Sequence, residues 1–151
     1  MTARLAGLQS LFFTALLGLA CGPLGPLPGG QISGELGDPP IDWSFTDAHK
    51  TVQLETNMAD PYSVNIWGAT IGKSFYIASR AGRDTKWAAN IETAPDVRLG
   101  VDGKIFELRA VRVDHDKSTR KAFLESLHKK YDFSPDDAES SGAWLYRLDP
   151  R

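Results

Sequence analysis

The sequence predicts a mainly β domain of the α+β class, a six-stranded antiparallel barrel with two helices. Apolar and polar residues alternate over six short stretches, which is typical of half-buried strands. Two other stretches place apolar residues four positions apart, which is typical of one face of a helix. An apolar run and a segment rich in Gly and Pro precede all of these, so a signal peptide and a disordered tether are expected before the barrel.

Residues 1–20 are predicted to be a lipoprotein signal peptide. The apolar run over residues 5–20 is shorter than the roughly 20 residues of a spanning helix and fits a secretory signal. Gly18 and Ala20 place small residues before Cys21, as a signal peptidase requires. "LLGLAC" resembles the lipobox of bacterial lipoproteins, which implies that Cys21 is acylated. Ordinary secretion with a free thiol is the alternative.

A lipid anchor implies a location in the bacterial cell envelope, outside the cytoplasm, with the membrane as a partner. The residue after Cys21 is Gly22. An Asp at this position commonly retains lipoproteins in the inner membrane, so the outer membrane is expected here where the organism has one. Residues 21–40 contain many Gly and Pro residues, a composition that predicts a disordered tether. The folded domain is therefore expected over residues 41–151.

The charge balance argues against a general nucleic-acid binder. The chain has 17 Lys and Arg residues against 19 Asp and Glu residues, a net charge of −2, where a basic excess would be expected. Motifs for a serine hydrolase or a phosphate-binding loop do not occur in the sequence. Asp114, His115 and Asp116 are interpreted as a solvated strand-to-helix joint, with Asp116 as a helix cap, and no metal site is predicted.

Two hairpins are expected among the strands. Gly72 and Lys73 give the turn of the first, and Gly103 gives the turn of the second. In the second hairpin Glu107 and Arg109 are expected to point outward. Its apolar face is expected to contain Phe106, Leu108, Ala110 and Val111. The predicted strands cover residues 51–56, 62–71, 74–79, 96–102, 104–114 and 143–149.

Two helices are expected between these strands. The first begins at Asp84 or Thr85, which are good N-cap residues, and ends before Pro95. The second begins at Asp116 or Ser118. Their buried faces are expected to contain Trp87 and Ile91 in the first helix, and Phe123, Leu127 and Tyr131 in the second.

The order of these pieces resembles the split β-barrel superfamily of flavin- and deazaflavin-dependent oxidoreductases, in particular its small nitroreductase-like members. The resemblance covers residues 51–148. It implies a split barrel that binds FMN or a deazaflavin for oxidoreductase chemistry. The matching residues are Ile66, Trp67, Ser79, Gly82, Lys86, Trp87, Asn90, Ile91, Pro95, Val97, Lys130 and Tyr131.

In that superfamily the phosphate of the cofactor is held between the third strand and the first helix. The resemblance therefore implies a site formed by Ser79, Arg80, Gly82, Arg83 and Lys86, with the ring of the cofactor near Trp67. Physical chemistry agrees, because a phosphate at the start of a helix satisfies free N–H groups and neutralises cations.

Two alternatives remain open from the sequence. The loop cations would have a purely structural role if they only paired with Asp84 and Glu92. The chain would also function without catalysis if it were an envelope lipoprotein that binds an apolar ligand or a protein partner. Export in an unfolded state favours this second alternative, since a flavin would then have to be captured outside the cytoplasm.

A homodimer is also predicted. The stretches 62–70 and 74–79 contain apolar residues on both faces, which is more than the interior of one barrel needs. A second copy of the chain would cover the outer face.

Overall fold

The computed structural model describes residues 21–132 and 142–151 of the chain. The predicted signal peptide, residues 1–20, lies outside the described residues. Short 3₁₀ helices occur at Ser44–Ala48 and Gly82–Asp84. The strands are β1 (Glu35–Gly37), β2 (Val52–Thr56), β3 (Tyr62–Ile66), β4 (Gly68–Ile71), β5 (Ser74–Ser79), β6 (Asp96–Val101), β7 (Lys104–Arg112) and β8 (Trp144–Pro150), and the helices are α1 (Lys86–Thr93) and α2 (Lys117–Tyr131).

Seven of the strands form one curled antiparallel sheet in the order β3-β2-β6-β7-β8-β5-β4. The two ends of this sheet, β3 and β4, follow each other in the chain with only Trp67 between them. The chain therefore joins the two ends of the sheet at Trp67, and the sheet curls into a half-barrel. The predicted mainly β fold with two helices is confirmed, with eight described strands instead of six.

The predicted strand over residues 62–71 is wrong as a single element. Its first half, β3, pairs with β2, and its second half, β4, pairs with β5. The first residue of the second half is Gly68. A side chain does not fit there, because a Cβ would overlap the ring of Phe75. Alternation of apolar residues continues through Trp67 in the sequence, so the pattern gave no sign of the break.

The side chains of β5 and β8 alternate between two apolar clusters, one on each face of the sheet. Phe75 and Ile77 of β5 face the barrel interior, together with Leu54, Leu99 and Leu108 from other strands. The intervening Tyr76 and Ala78 face outward and lie under α2, where they meet its buried side chains Phe123 and Leu127. The period-2 pattern of β5 thus supplies the barrel core and the surface on which α2 packs.

The prediction of a disordered tether is wrong for the described residues that pack on the barrel. Gly29 exchanges two backbone hydrogen bonds with Ser63 at the edge strand β3, and β1 pairs in parallel with the first half of β7. Between these points the buried Ile32 donates its N–H to the fully buried carboxylate of Glu55. The Gly and Pro content of the segment did not reveal this order. The segment is held mainly by backbone pairing with open sheet edges and not by a large apolar core.

The helix caps were predicted in part. Asp116 is the N-cap of α2, and its carboxylate accepts hydrogen bonds from the N–H groups of Ser118 and Thr119. Hydrogen bonds from the hydroxyls of Ser118 and Thr119, together with these N–H bonds, lower the pKa of Asp116 to about 2. Thr85 occupies the N-cap position of α1, where its side chain does not cap the described helix. Neither described helix is long and apolar enough to cross a membrane.

Candidate functional site

The candidate site is a cavity of about 320 Å³ between α2 and the outer face of the sheet. This volume lies at the lower end of the range for small-molecule sites, roughly 300–1,000 Å³. Apolar side chains form most of its wall, and Asn65, Arg80 and Arg120 are the polar residues. The apolar lining comprises Ile66, Trp67, Ala78, Phe123, Leu124, Leu127, Ala143 and Leu145.

Residues of α2 fix one wall of this cavity. The ring of Tyr131 stacks on Trp67 with the planes 6° apart and the centroids 4.5 Å apart. The Tyr131 hydroxyl donates to the Gly68 carbonyl oxygen at 3.0 Å and accepts from the Gly68 N–H at 3.3 Å. Lys130 Nζ donates to the same carbonyl oxygen and to that of Thr46. These bonds hold the end of α2 against the junction where the sheet closes.

Burial changes the titration of both anchoring groups. Loss of solvation lowers the pKa of Lys130, and it raises the pKa of Tyr131. Each group donates to a backbone carbonyl oxygen, so their role in the structure is to position α2.

The two arginines of the cavity differ in how they are held. Arg120 donates from one guanidinium nitrogen to the carbonyl oxygens of Asp114 and Ala143, which joins α2 to the start of β8. Arg80 is exposed, and within the described parts of the chain its guanidinium has no hydrogen bond or ion pair. Among the described residues Arg80 therefore has no ionic partner, and it presents a positive charge beside an apolar cavity.

Ser79 and Gly82, two residues of the predicted phosphate site, contact each other in the turn before α1. Ser79 is buried, and its hydroxyl bonds to the Gly82 carbonyl oxygen and to Thr85 Oγ1 at 3.0 and 2.7 Å. Gly82 has a φ of +53°, and a Cβ there would lie 3.1 Å from the indole of Trp144. Both residues therefore shape the turn before α1.

Two cations of that predicted site, Arg83 and Lys86, do not line the cavity. Lys86 lies over the ring of Tyr62, 4.4 Å from its centroid. Arg83 is exposed on the short 3₁₀ helix. Trp67 and Arg80 are thus the two predicted site residues that line the cavity. Glu92, which the alternative interpretation paired with the loop cations, instead contacts Arg112 and the hydroxyl of Tyr146.

The joint before α2 has the structural role that the sequence predicted for it. Asp114 pairs with Arg112 at 2.6 Å, which lowers the pKa of Asp114. Asp116 caps the helix, and His115 between them is exposed.

Sequence reasoning missed the part of the site that α2 supplies. Arg120, Phe123, Leu124 and Leu127 line the cavity, although only Phe123 and Leu127 had been assigned to a buried face. The signal in the sequence was the surplus of apolar residues on the outer face of residues 74–79. This surplus indicated that the outer face packs against another element, but it did not identify that element as α2.

Comparison with known proteins gives structural similarity and little sequence similarity. No protein-family model and no curated protein sequence matches the chain. HutZ, the heme storage protein of Vibrio cholerae, is 16% identical with a TM-score of 0.58, over 72% of this chain and 86% of that one. A putative pyridoxamine 5′-phosphate oxidase from Listeria innocua is 18% identical with a TM-score of 0.54, over 72% and 89%. A FAD-binding protein from Mesorhizobium loti is 18% identical with a TM-score of 0.52, over 72% and 86%.

The fold of this chain is the split β-barrel, as the resemblance in its sequence implied. The alignments cover about the length that the barrel and α2 occupy. At this level of identity the similarity defines the fold, and the function has to be argued from the residues of this chain.

Proposed function

We propose that this chain binds a small molecule with a flat apolar body and one anionic group in the cavity under α2. A flavin or deazaflavin that carries a phosphate is the ligand class we infer. The observation that carries this proposal is the position of Arg80, whose exposed guanidinium borders a cavity with a mainly apolar wall.

The wall of the cavity suits a ring system. Ile66, Leu124 and Leu145 offer apolar surface, and burial of a ring against such surface is favourable. Trp67 contributes its aromatic ring from the junction of β3 and β4, where its stack on Tyr131 fixes its orientation. A fixed aromatic side chain binds a flat ligand with little loss of conformational entropy.

The phosphate of such a ligand would contact Arg80. A guanidinium binds a phosphate through two parallel N–H···O bonds, and no carboxylate lines the cavity among the described residues to compete for it. Asn65 adds an amide to the same lining. A bound flavin or deazaflavin would supply hydride transfer, and the chain would then act in oxidoreductase chemistry.

Titration of the full chain in detergent with FMN, and separately with a deazaflavin phosphate, tests this proposal. The full chain is needed because residues 29–37 pack on the sheet. Trp67 lines the cavity, so tryptophan fluorescence should be quenched in a saturable manner. Absence of binding for both compounds at high micromolar concentration would contradict the proposal.

A second function is favoured by the lining itself. Arg80 and Arg120 are its charged residues, and the described lining contains no His, Asp, Glu or Lys for proton transfer. This composition fits a protein that binds an apolar ligand without catalysis. Mass spectrometry of protein recovered from its native membrane distinguishes the two, since a flavin supports an enzyme and a lipid supports a carrier.

We infer that the chain is attached to the cell envelope through an acyl group on Cys21. The support is the apolar run over residues 5–20 and the small residues before the cysteine, which is exposed. Replacement of Cys21 by Ser, followed by cell fractionation, tests this inference. The parent chain should sediment with membranes and the variant should become soluble or remain unprocessed, whereas identical behaviour of both would contradict acylation.

A homodimer remains a prediction, although part of the apolar surface that suggested it is covered by the chain itself. The outward residues Tyr76 and Ala78, which suggested a partner, are covered by α2 of the same chain. Sedimentation at tens of micromolar in detergent should give the mass of two chains, and a monomer would contradict the prediction.

A further inference from the structure

We propose that the turn over residues 24–27 contacts the lipid surface to which the chain is attached, and that this contact positions the cavity next to the bilayer. This inference rests on the proposed envelope anchor. It assigns a membrane-contacting surface and an orientation that the anchor alone would not give.

The turn presents two leucines to the outside. Leu24 and Leu27 exchange backbone hydrogen bonds at 3.1 and 2.9 Å, so the turn is closed. The two side chains are 68% and 64% exposed, and they project from the same closed turn. A side-chain amide from the barrel also fixes the turn, because Asn65 Nδ2 donates to the carbonyl oxygens of Pro23 and Gly25. The leucines are therefore held in place on the surface.

The segment around the turn carries no charge that a bilayer would have to desolvate. Residues 5–34 contain no Asp, Glu, Lys, Arg or His. Transfer of a charged side chain toward the hydrocarbon is costly, whereas leucine is favourable there. An uncharged segment with two projecting leucines thus fits the interfacial region of a bilayer better than it fits water.

The position of Cys21 identifies the lipid surface as the occupant. The Gly30 N–H donates to the Cys21 carbonyl oxygen at 3.0 Å, and Gly29 is in turn bonded to Ser63 of β3. Cys21 is therefore fixed to the barrel, three residues before Leu24. An acyl chain on Cys21, or an apolar leader that remains attached to it, would hold this end of the barrel directly at the bilayer.

The same arrangement connects the lipid surface with the cavity. Asn65 bonds to the turn and also lines the cavity, next to Ile66 and Trp67. Asn65 consequently joins the turn that carries the leucines to the wall of the cavity. A ligand with an apolar body would then reach the cavity from the lipid phase, with its anionic group directed to the exposed Arg80.

A polarity-sensitive nitrobenzoxadiazole label tests the contact. Leu27→Cys is compared with Leu36→Cys, a matched control because Leu36 is 66% exposed and lies on β1. Each full chain is labelled and placed in phosphatidylcholine vesicles, with or without a spin-labelled lipid. The unsubstituted chain is treated in the same way, because uptake of label there would show a free Cys21 and contradict the acyl anchor.

The label at position 27 should have a blue-shifted emission and should be quenched at least twofold more by the spin-labelled lipid than the label at position 36. Equal emission and equal quenching at the two positions, with the chain bound to vesicles, would overturn the contact and leave the anchor intact. A blue shift without quenching would mean that protein covers the leucines, which also overturns the proposal. A chain that does not sediment with vesicles would overturn both the anchor and the contact.

Discussion

The ring of Tyr131 stacks on that of Trp67 at a centroid distance of 4.5 Å, and its hydroxyl bonds to both backbone groups of Gly68. One residue at the end of α2 thus contacts both residues at the junction of β3 and β4. The two ends of the sheet meet at this junction. Tyr131 therefore contacts both the junction of the two sheet ends and the aromatic wall of the cavity.

Two substitutions of Tyr131 measure separately what its hydrogen bonds and its aromatic stack contribute to stability. Tyr131→Phe removes the hydrogen bonds and should lower the free energy of unfolding by about 0.5–1.5 kcal/mol. Tyr131→Leu also removes the aromatic stack, which should add about 0.5–1.5 kcal/mol. Urea denaturation measures both values. In a Trp67→Ala background the difference between the two variants should largely disappear, and a difference that persists would contradict the stacking interaction.

Gly82 is predicted to be required for the turn before α1. Gly82→Ala imposes a φ of +53° on a residue with a Cβ and brings that Cβ to 3.1 Å from the Trp144 indole. Gly72→Ala is the matched control, because its φ is +62° and its Cβ would meet nothing within 4 Å. Both should lose roughly 1–2 kcal/mol of stability for the left-handed conformation. The loss of stability should be larger for Gly82→Ala, and thermal or urea unfolding measures it. Equal losses would mean that the Trp144 side chain moves away from the new Cβ without cost.

Glu55 is predicted to hold the N-terminal segment on the sheet. Its carboxylate is fully buried and accepts from the Ile32 N–H at 2.6 Å and from Arg98 at 3.2 Å. Glu55→Ala would leave the Ile32 N–H unsatisfied, a cost of about 1–3 kcal/mol. Amide hydrogen exchange of residues 29–34 should accelerate. Glu107→Ala is the control, because it removes the other carboxylate that contacts Arg98 and leaves Ile32 bonded. Equal acceleration in both variants would contradict the role of Glu55.

The sequence predicted most elements because their signals are local. The hairpin turns at Gly72 and Gly103, the cap at Asp116 and the end of α1 before Pro95 all depend on neighbouring residues. Alternation also assigned Phe106, Leu108 and Ala110 of β7 to the interior, whereas Val111, predicted on the same face, is only half-buried. Such features follow from backbone geometry and side-chain chemistry within a few residues.

Non-local contacts account for the errors. The break between β3 and β4 depends on Gly68 meeting Phe75 and on its bonds to Lys130 and Tyr131, which are distant in sequence. The N-terminal segment is ordered by edges of strands that follow it in the chain. For the site, sequence proximity grouped Ser79, Gly82, Arg83 and Lys86 with Arg80, and of these five residues Arg80 lines the cavity.

The central claim is that Arg80 binds the anionic group of a ligand whose body occupies the cavity under α2. It is tested most directly by comparing the affinities of Arg80→Ala and Arg83→Ala for FMN and for riboflavin, which lacks the phosphate. Arg83 is the matched control because it is an exposed arginine of the same turn that does not line the cavity. Arg80→Ala should weaken FMN binding by about 1.5–3 kcal/mol, roughly 10- to 150-fold, and leave riboflavin binding unchanged. Arg83→Ala should change neither affinity by more than about twofold, since an exposed charge that does not contact the ligand is screened by water and salt. Loss of FMN affinity in Arg83→Ala but not in Arg80→Ala would contradict the account.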